Sequence, residues 1–154
     1  MVSTPTALAY VDASVLVRTL LDDEPGHEGA VRALSHARGR AVSWAAVQVE
    51  AASALRSATR ARRTADPAIP ARRLAALLAR PDSLMLLPGA DPALIPLAVD
   101  IAGRQRIRAL DAMHLATALT EGRRVADRHP LVFITADSAQ AEAAAAEGLE
   151  VVVP

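Results

Sequence analysis

The sequence predicts a single three-layer α/β/α domain, residues 1–154, around a mostly parallel sheet. Three observations lead there. Short apolar runs alternate with stretches of helical periodicity along the chain, an order that sets parallel strands in a sheet with helices on both faces. The length of 154 residues fits one domain, since single domains commonly run to about 100–200 residues. Hydrophobic residues make up 52%, ample for one buried core, and no repeat or flexible linker divides the chain.

The elements follow in order. Leu8–Val11 (LAYV) is a short apolar run that reads as a buried strand. Ser14–Leu21 carries apolar residues at helical spacing, and the Asp-Asp-Glu-Pro-Gly stretch at 22–26 ends it. His27–Ala37 is helical, with Ala30, Leu34 and Ala37 along one side, and Gly39 stops it. Ala41–Ser43 reads as a brief second strand. From Trp44 to about Arg63 the spacing of Trp44, Val47, Ala51, Leu55 and Ala58 marks one face of a long helix. Asp66-Pro67 and Pro70 break it, and Ala71–Ala79 forms the next helix. Leu84–Leu87 reads as a strand. Asp91-Pro92 is a helix-start signal, an N-cap aspartate with proline in the first turn, for a helix reaching about Gly103. Asp111–Leu119 is helical and ended by Gly122. Leu131–Thr135 (LVFIT) is the strongest strand signal, Ser138–Glu147 an alanine-rich helix ended by Gly148, and Glu150–Val153 a last strand.

Composition narrows the chemistry. Lysine is absent and all 17 basic residues are arginine, which excludes a P-loop NTPase, a Schiff-base enzyme and any site needing an essential ammonium. No cysteine is present, so disulfides, zinc ribbons and thiol catalysis are excluded. Seventeen acids balance the arginines, so bulk charge does not hold the chain on nucleic acid, although a local basic patch can. The opening residues lack the basic start and apolar run of a signal peptide, and no apolar stretch reaches the ~20 residues that cross a bilayer. A cytoplasmic protein without membrane contact is expected.

Four acids carry the chemistry. In an open parallel sheet, functional groups gather beyond the carboxyl ends of the strands. Asp12 follows the first strand directly, and Asp137 follows the LVFIT strand. Glu50 lies three positions from Val47, at the edge of the apolar stripe, where a carboxylate is partly buried and needs a cation or donors. Asp111 opens the DAMHLATAL helix, with His114 one turn further on the same side as a packed or supporting residue. Acids brought together repel, and a divalent cation resolves the conflict. Magnesium and manganese favour oxygen ligands, and such an ion assists phosphodiester hydrolysis. Each aspartate also stands where a helix N-cap would, and taken singly that reading is the stronger one.

The blocks YVDASVLVRTLL (10–21), QVEAASAL (48–55), RALDAMHLATAL (108–119) and FITADSAQAEAAAAEGLEVV (133–152), in this order, resemble the PIN-domain family, specifically the VapC-like toxins of bacterial toxin–antitoxin pairs. The resemblance implies a PIN-like α/β/α sandwich and a Mg2+- or Mn2+-dependent endoribonuclease whose catalytic and metal-holding acids are Asp12, Glu50, Asp111 and Asp137. Asp12, Asp111 and Glu50 would be the main ligands, with Asp137 holding a second ion or orienting a water. It implies supporting places for Ser14, which would hold Asp12 or a metal-bound water, and for Thr135. It also implies a homodimer and a cognate antitoxin protein.

RNA as substrate requires positive surface near the site. Arg18 follows Asp12 on its helix, Arg106 and Arg108 lead into the Asp111 helix, and Arg56 and Arg60 share a face of the long helix. Aromatics make up only 2%, so recognition by shape or backbone is expected over stacking on single bases. Two other readings compete. A metal-dependent phosphatase on a similar sheet wants a second aspartate two places after the first, where Ser14 stands, and a lysine. A non-catalytic binding module would keep the fold without needing the four acids.

Overall fold

A computed structural model describes residues 7–80 and 82–154. Its centre is a five-stranded sheet, β1 (Leu8–Val11), β2 (Ala41–Trp44), β3 (Met85–Leu87), β4 (Leu131–Ile134) and β5 (Glu150–Val152). Every pairing is parallel and the spatial order is β3-β2-β1-β4-β5. The chain winds outward from β1 through β2 to β3, then returns to the other flank of β1 with β4. The reversal puts a topological switch point between β1 and β4, where open parallel sheets form their crevice.

Among the described residues, eight α-helices cover the sheet: α1 (Ala13–Leu20), α2 (His27–His36), α3 (Val47–Arg60), α4 (Ala68–Leu78), α5 (Leu94–Gln105), α6 (Ala109–Thr117), α7 (Arg123–Ala126) and α8 (Ser138–Ala146). Strand alternation divides the core into two layers. Ala9, Val11 and Ile134 pack with Val15, Leu16, Leu55 and Leu74 of α1, α3 and α4. Tyr10, Val42 and Phe133 point the other way, onto Leu94, Ile101 and Leu115 of α5 and α6 and Ala143 and Ala144 of α8. Tyr10 and Phe133 are register partners, and their rings stack with centroids 5.2 Å apart. With so few aromatics, this pair supplies much of the bulk of the second layer.

Several local expectations are corrected. Trp44 belongs to β2, paired with Leu87, and α3 begins only at Val47. The three-residue step from Trp44 to Val47 imitates a helical stripe across a tight turn. Pro70 does not break a helix: it sits in the first turn of α4, where a missing N–H goes unnoticed, and Asp66 accepts from the Ala68 N–H just before it. Asp111 is the third residue of α6, after Ala109 and Leu110. Gly122 does not end that run either. The helix widens into a π-helical stretch, Ala118–Gly122, and continues as α7. A Cβ on Gly122 would make only ordinary contact with Leu131 and Tyr10, at 3.5 and 3.7 Å, so the residue packs against the sheet within a continuing helix rather than marking a stop.

The π-helical stretch aims the buried Glu121 carboxylate at the loop after β3, where it accepts from the backbone N–H groups of Gly89, Ala90 and Asp91 at 2.9, 2.6 and 3.0 Å. Three donors compensate a charge that would otherwise be costly to bury. The loop is thereby pinned, with Gly89 at φ +73° against the indole of Trp44.

Candidate metal-dependent active site

Because all five strands run the same way, the residues following β1, β2 and β4 emerge at one end of the sheet. Asp12 follows β1, Glu50 lies in the first turn of α3 after β2, and Asp137 lies three residues beyond β4. Asp111, in the first turn of α6, joins them. All four acids line one cleft of about 400 Å³, together with Ser14, Arg18, Glu24 and Arg108.

Asp12 is buried, only 4% exposed, and fixed from several directions. It is the N-cap of α1: Oδ2 accepts from the Ser14 N–H at 3.0 Å and from Ser14 Oγ at 2.6 Å. Oδ1 accepts from Gln140 Nε2 at 3.1 Å. Ser14 Oγ in turn accepts from the Ala136 N–H at 2.9 Å, tying the start of α1 to the end of β4. Thr135 Oγ1 donates to Gln140 Oε1 at 2.7 Å and accepts from the Asp137 N–H at 3.1 Å. Asp137 caps α8 by accepting from the Gln140 N–H at 3.0 Å. Capping and site placement thus coincide for Asp12 and Asp137, since one turn both ends the strand and aims the acid. Asp111, inside its helix, is no cap.

Glu50 accepts from His114 Nε2 at 2.7 Å, and Asp12 Oδ1 lies 3.8 Å from the same nitrogen. On the far side of the ring, His114 Nδ1 meets Tyr10 Oη at 2.9 Å, and that hydroxyl also accepts from the Trp44 N–H. Burial acts most strongly on His114 and favours its neutral form, but the Glu50 hydrogen bond and the charges of Asp12, Glu50 and Asp111 outweigh it and raise its pKa above the ordinary histidine value. Burial also holds Tyr10 well above the usual phenol value, so it stays protonated.

Arg108 crosses the cleft. Its Nε donates to Asp111 Oδ2 at 2.9 Å and its Nη2 to Asp137 Oδ2 at 3.2 Å. Hydrogen bonding to Asp111, then the charges of Asp111, Asp137 and Asp12, raise its pKa further. Arg18 lines the same cleft and reaches the Ala136 carbonyl at 3.4 Å. The other arginines singled out in the sequence stand elsewhere. Arg56 and Arg60 border an apolar groove between α3 and α4, and Arg106 is the left-handed C-cap of α5, at φ 54°. Arg63, from the same basic run, is bound to Asp23 and Glu24.

A model of the PIN domain matches residues 9–148. The chain belongs to the PIN-domain family. PIN domains are generally nucleases, hydrolases of the phosphodiester bond, and typically bind divalent metals. No curated protein matches the chain. Among solved structures, PAE2754 from Pyrobaculum aerophilum is similar in fold, with a TM-score of 0.66 over 95% of this chain and 91% of that one at 23% identity. No helix among the described residues is long and apolar enough to cross a membrane.

The donors of this PIN domain suit a hard divalent ion in kind: carboxylates only, without sulfur. The buried Asp12 carboxylate receives its short hydrogen bonds from neutral groups alone, and the His114 ring nitrogen, at 3.8 Å, is its nearest group able to carry positive charge, which leaves room for a cation in the cleft. The acids are not drawn into a cage, however. Among the described residues, no three His, Asp or Glu side chains stand as a ready metal-holding group. Glu50 is held by His114 and the Asp111–Asp137 pair is bridged by Arg108, cationic partners that offset the mutual repulsion of the acids.

Two residues of the site, one beneath the cleft and one lining it, escaped the sequence reading. Gln140 is fully buried and its amide joins Asp12, Thr135 and the Asp111 carbonyl. Its signal was present: a lone glutamine in an alanine helix, three residues after an N-cap acid, as in a capping box. Glu24, read only as part of a turn, lines the cleft from the α1–α2 loop and is engaged by Arg63.

Proposed function

We propose that this PIN domain is a Mg2+- or Mn2+-dependent endoribonuclease that hydrolyses RNA phosphodiester bonds, and that it is the toxin of a toxin–antitoxin pair. The observation that carries the reading is the convergence of Asp12, Glu50, Asp111 and Asp137 on one cleft at the switch point. Asp12, Glu50 and Asp111 would hold the metal, with Asp137 serving a second ion or orienting a water. A divalent ion there supplies water activation and offsets charge building on the phosphate.

The chain's own groups do the positioning. Ser14 and Gln140 fix the direction of the Asp12 carboxylate, and Thr135 fixes Gln140. His114, anchored by Tyr10, sets the Glu50 carboxylate. Arg18 and Arg108 give the cleft positive charge for a phosphate. Tyr10 and Phe133 are buried in the core and Trp44 packs against it, so no aromatic is offered for stacking a base. That favours recognition through RNA backbone and shape.

The antitoxin and the homodimer belong to the same proposal and rest on the four sequence blocks that resemble VapC-like toxins; a cytoplasmic location is proposed with them from the opening residues and the lack of a long apolar stretch. The test is incubation of the purified chain with total RNA and Mn2+ or Mg2+, beside EDTA and Asp12→Ala controls. Fragments that both controls abolish support the reading, and cleavage that survives in Asp12→Ala overturns the site. For the toxin role, induced wild type should arrest growth where Asp12→Ala does not.

A further inference from the structure

Arg108 stands apart from the other groups in the cleft. It is the N-cap residue of α6, with extended backbone at φ −68° and ψ 157°. Its side chain is therefore not committed to the helix face and lies back across the mouth of the site. One guanidinium joins two carboxylates from different elements, Asp111 of α6 and Asp137 at the start of α8. The two acids are largely shielded, with side-chain exposures of 17% and 33%, but Arg108 is 78% exposed. A shielded acid pair is thus spanned by a cation free to leave, because an exposed arginine loses little on returning to water.

We infer that Arg108 is an internal counter-cation that competes with a divalent metal for Asp111 and Asp137, and that it is released toward the phosphate of the substrate when the metal takes those acids. The inference rests on the metal-dependent reading above and adds a residue that tunes it. The geometry supports competition in two ways. Arg108 occupies Oδ2 of both acids, and Oδ1 of Asp137 is already taken by the Gln140 N–H, so a cation seeking both carboxylates meets the guanidinium. Its positive charge, held at the two carboxylates, also repels an arriving cation until the guanidinium moves. Release costs little and returns the arginine at the rim of the cleft, where its planar fork suits a phosphate.

The test is calorimetric titration of the 154-residue chain with Mn2+ alone, at low and moderate salt, for wild type, Arg108→Ala, Arg108→Gln and Arg108→Lys, each checked for native circular dichroism. Removing the charge should tighten Mn2+ binding by roughly three- to tenfold in both Arg108→Ala and Arg108→Gln, the range set by an exposed ion pair and one repelling charge. Arg108→Lys, which keeps the charge without the fork, should fall between them and wild type. The gain should shrink as salt screens the guanidinium. Equal or weaker Mn2+ binding by Arg108→Ala and Arg108→Gln, with wild type still binding, overturns the competition and leaves the metal site standing. No Mn2+ binding by any of the four proteins overturns the metal-dependent reading and this inference with it.

Discussion

Gln140→Met removes the donor and acceptor of the buried amide while keeping nearly its length and volume, so packing against α6 and β4 changes little. Three hydrogen bonds go, the weakest being the 3.5 Å contact from Nε2 to the Asp111 carbonyl. Asp12 Oδ1 loses the Gln140 Nε2 donor at 3.1 Å, and Thr135 Oγ1 loses its acceptor at 2.7 Å. The first is charge-assisted and worth about 1.5–3 kcal/mol. The second is partly replaced, because Thr135 Oγ1 already lies 3.3 Å from Asp12 Oδ2 and can turn its proton there. The expected loss is about 2–3 kcal/mol, or roughly 4–12 °C in melting temperature for a chain of this size. Trp44 is the sole tryptophan and packs edge-on to His114 at 5.6 Å, so its emission reports urea unfolding from the site itself. Run in EDTA, the midpoint should drop without a change in slope. Mn2+ affinity should fall by roughly tenfold or more, the usual cost of removing a group that orients a metal-holding acid. A variant within about 0.5 kcal/mol of wild type and with unchanged Mn2+ affinity would refute the claim that Gln140 sets Asp12.

Three further outcomes are expected. Glu121→Ala should destabilise by about 3 kcal/mol or more, because three backbone donors lose their acceptor in a buried place; Glu121→Gln should lose less, and urea titration separates the two. Gly89→Ala should cost about 2 kcal/mol, since φ is +73° and the new Cβ would stand 2.4 Å from the Trp44 indole nitrogen; a shifted Trp44 emission in the folded state checks that the strain lands there. Arg18→Ala should weaken RNA binding and raise KM for cleavage, whereas Arg56→Ala, placed on the α3–α4 groove, should leave both within about twofold of wild type; filter binding and initial rates tell them apart.

The inner strands were legible because they lie between strand neighbours with helices on both faces. LAYV and LVFIT are uninterrupted apolar runs, and the structure starts and stops them within a residue of the expectation. The helix boundaries were harder. Trp44 fitted a helical stripe by spacing while its backbone paired with Leu87, a tertiary choice that no local pattern encodes. Gly122 looked like a stop because the sequence does not reveal that it packs against β4, nor that the helix widens around it. In the cleft, the four acids were visible from their positions at strand ends and helix starts, since topology alone sends those positions to one place. Their partners were not. Arg108 was read as a phosphate contact, and its bridge from Asp111 to Asp137 spans 26 residues of separation between those acids. Arg56 and Arg60 were grouped with it only because a charge run says nothing about which wall of the fold it decorates.

The acid cleft is proposed to use a divalent ion to direct water onto an RNA phosphodiester. The most direct measurement is cleavage of end-labelled RNA by wild type and Asp12→Ala, with Mn2+ or with EDTA, followed by analysis of the new termini. Wild type with Mn2+ alone should cleave and leave termini without a 2′,3′-cyclic phosphate, because the nucleophile is water rather than the ribose 2′-hydroxyl. Cleavage that persists in EDTA or in Asp12→Ala, or that leaves cyclic phosphate ends, would contradict it.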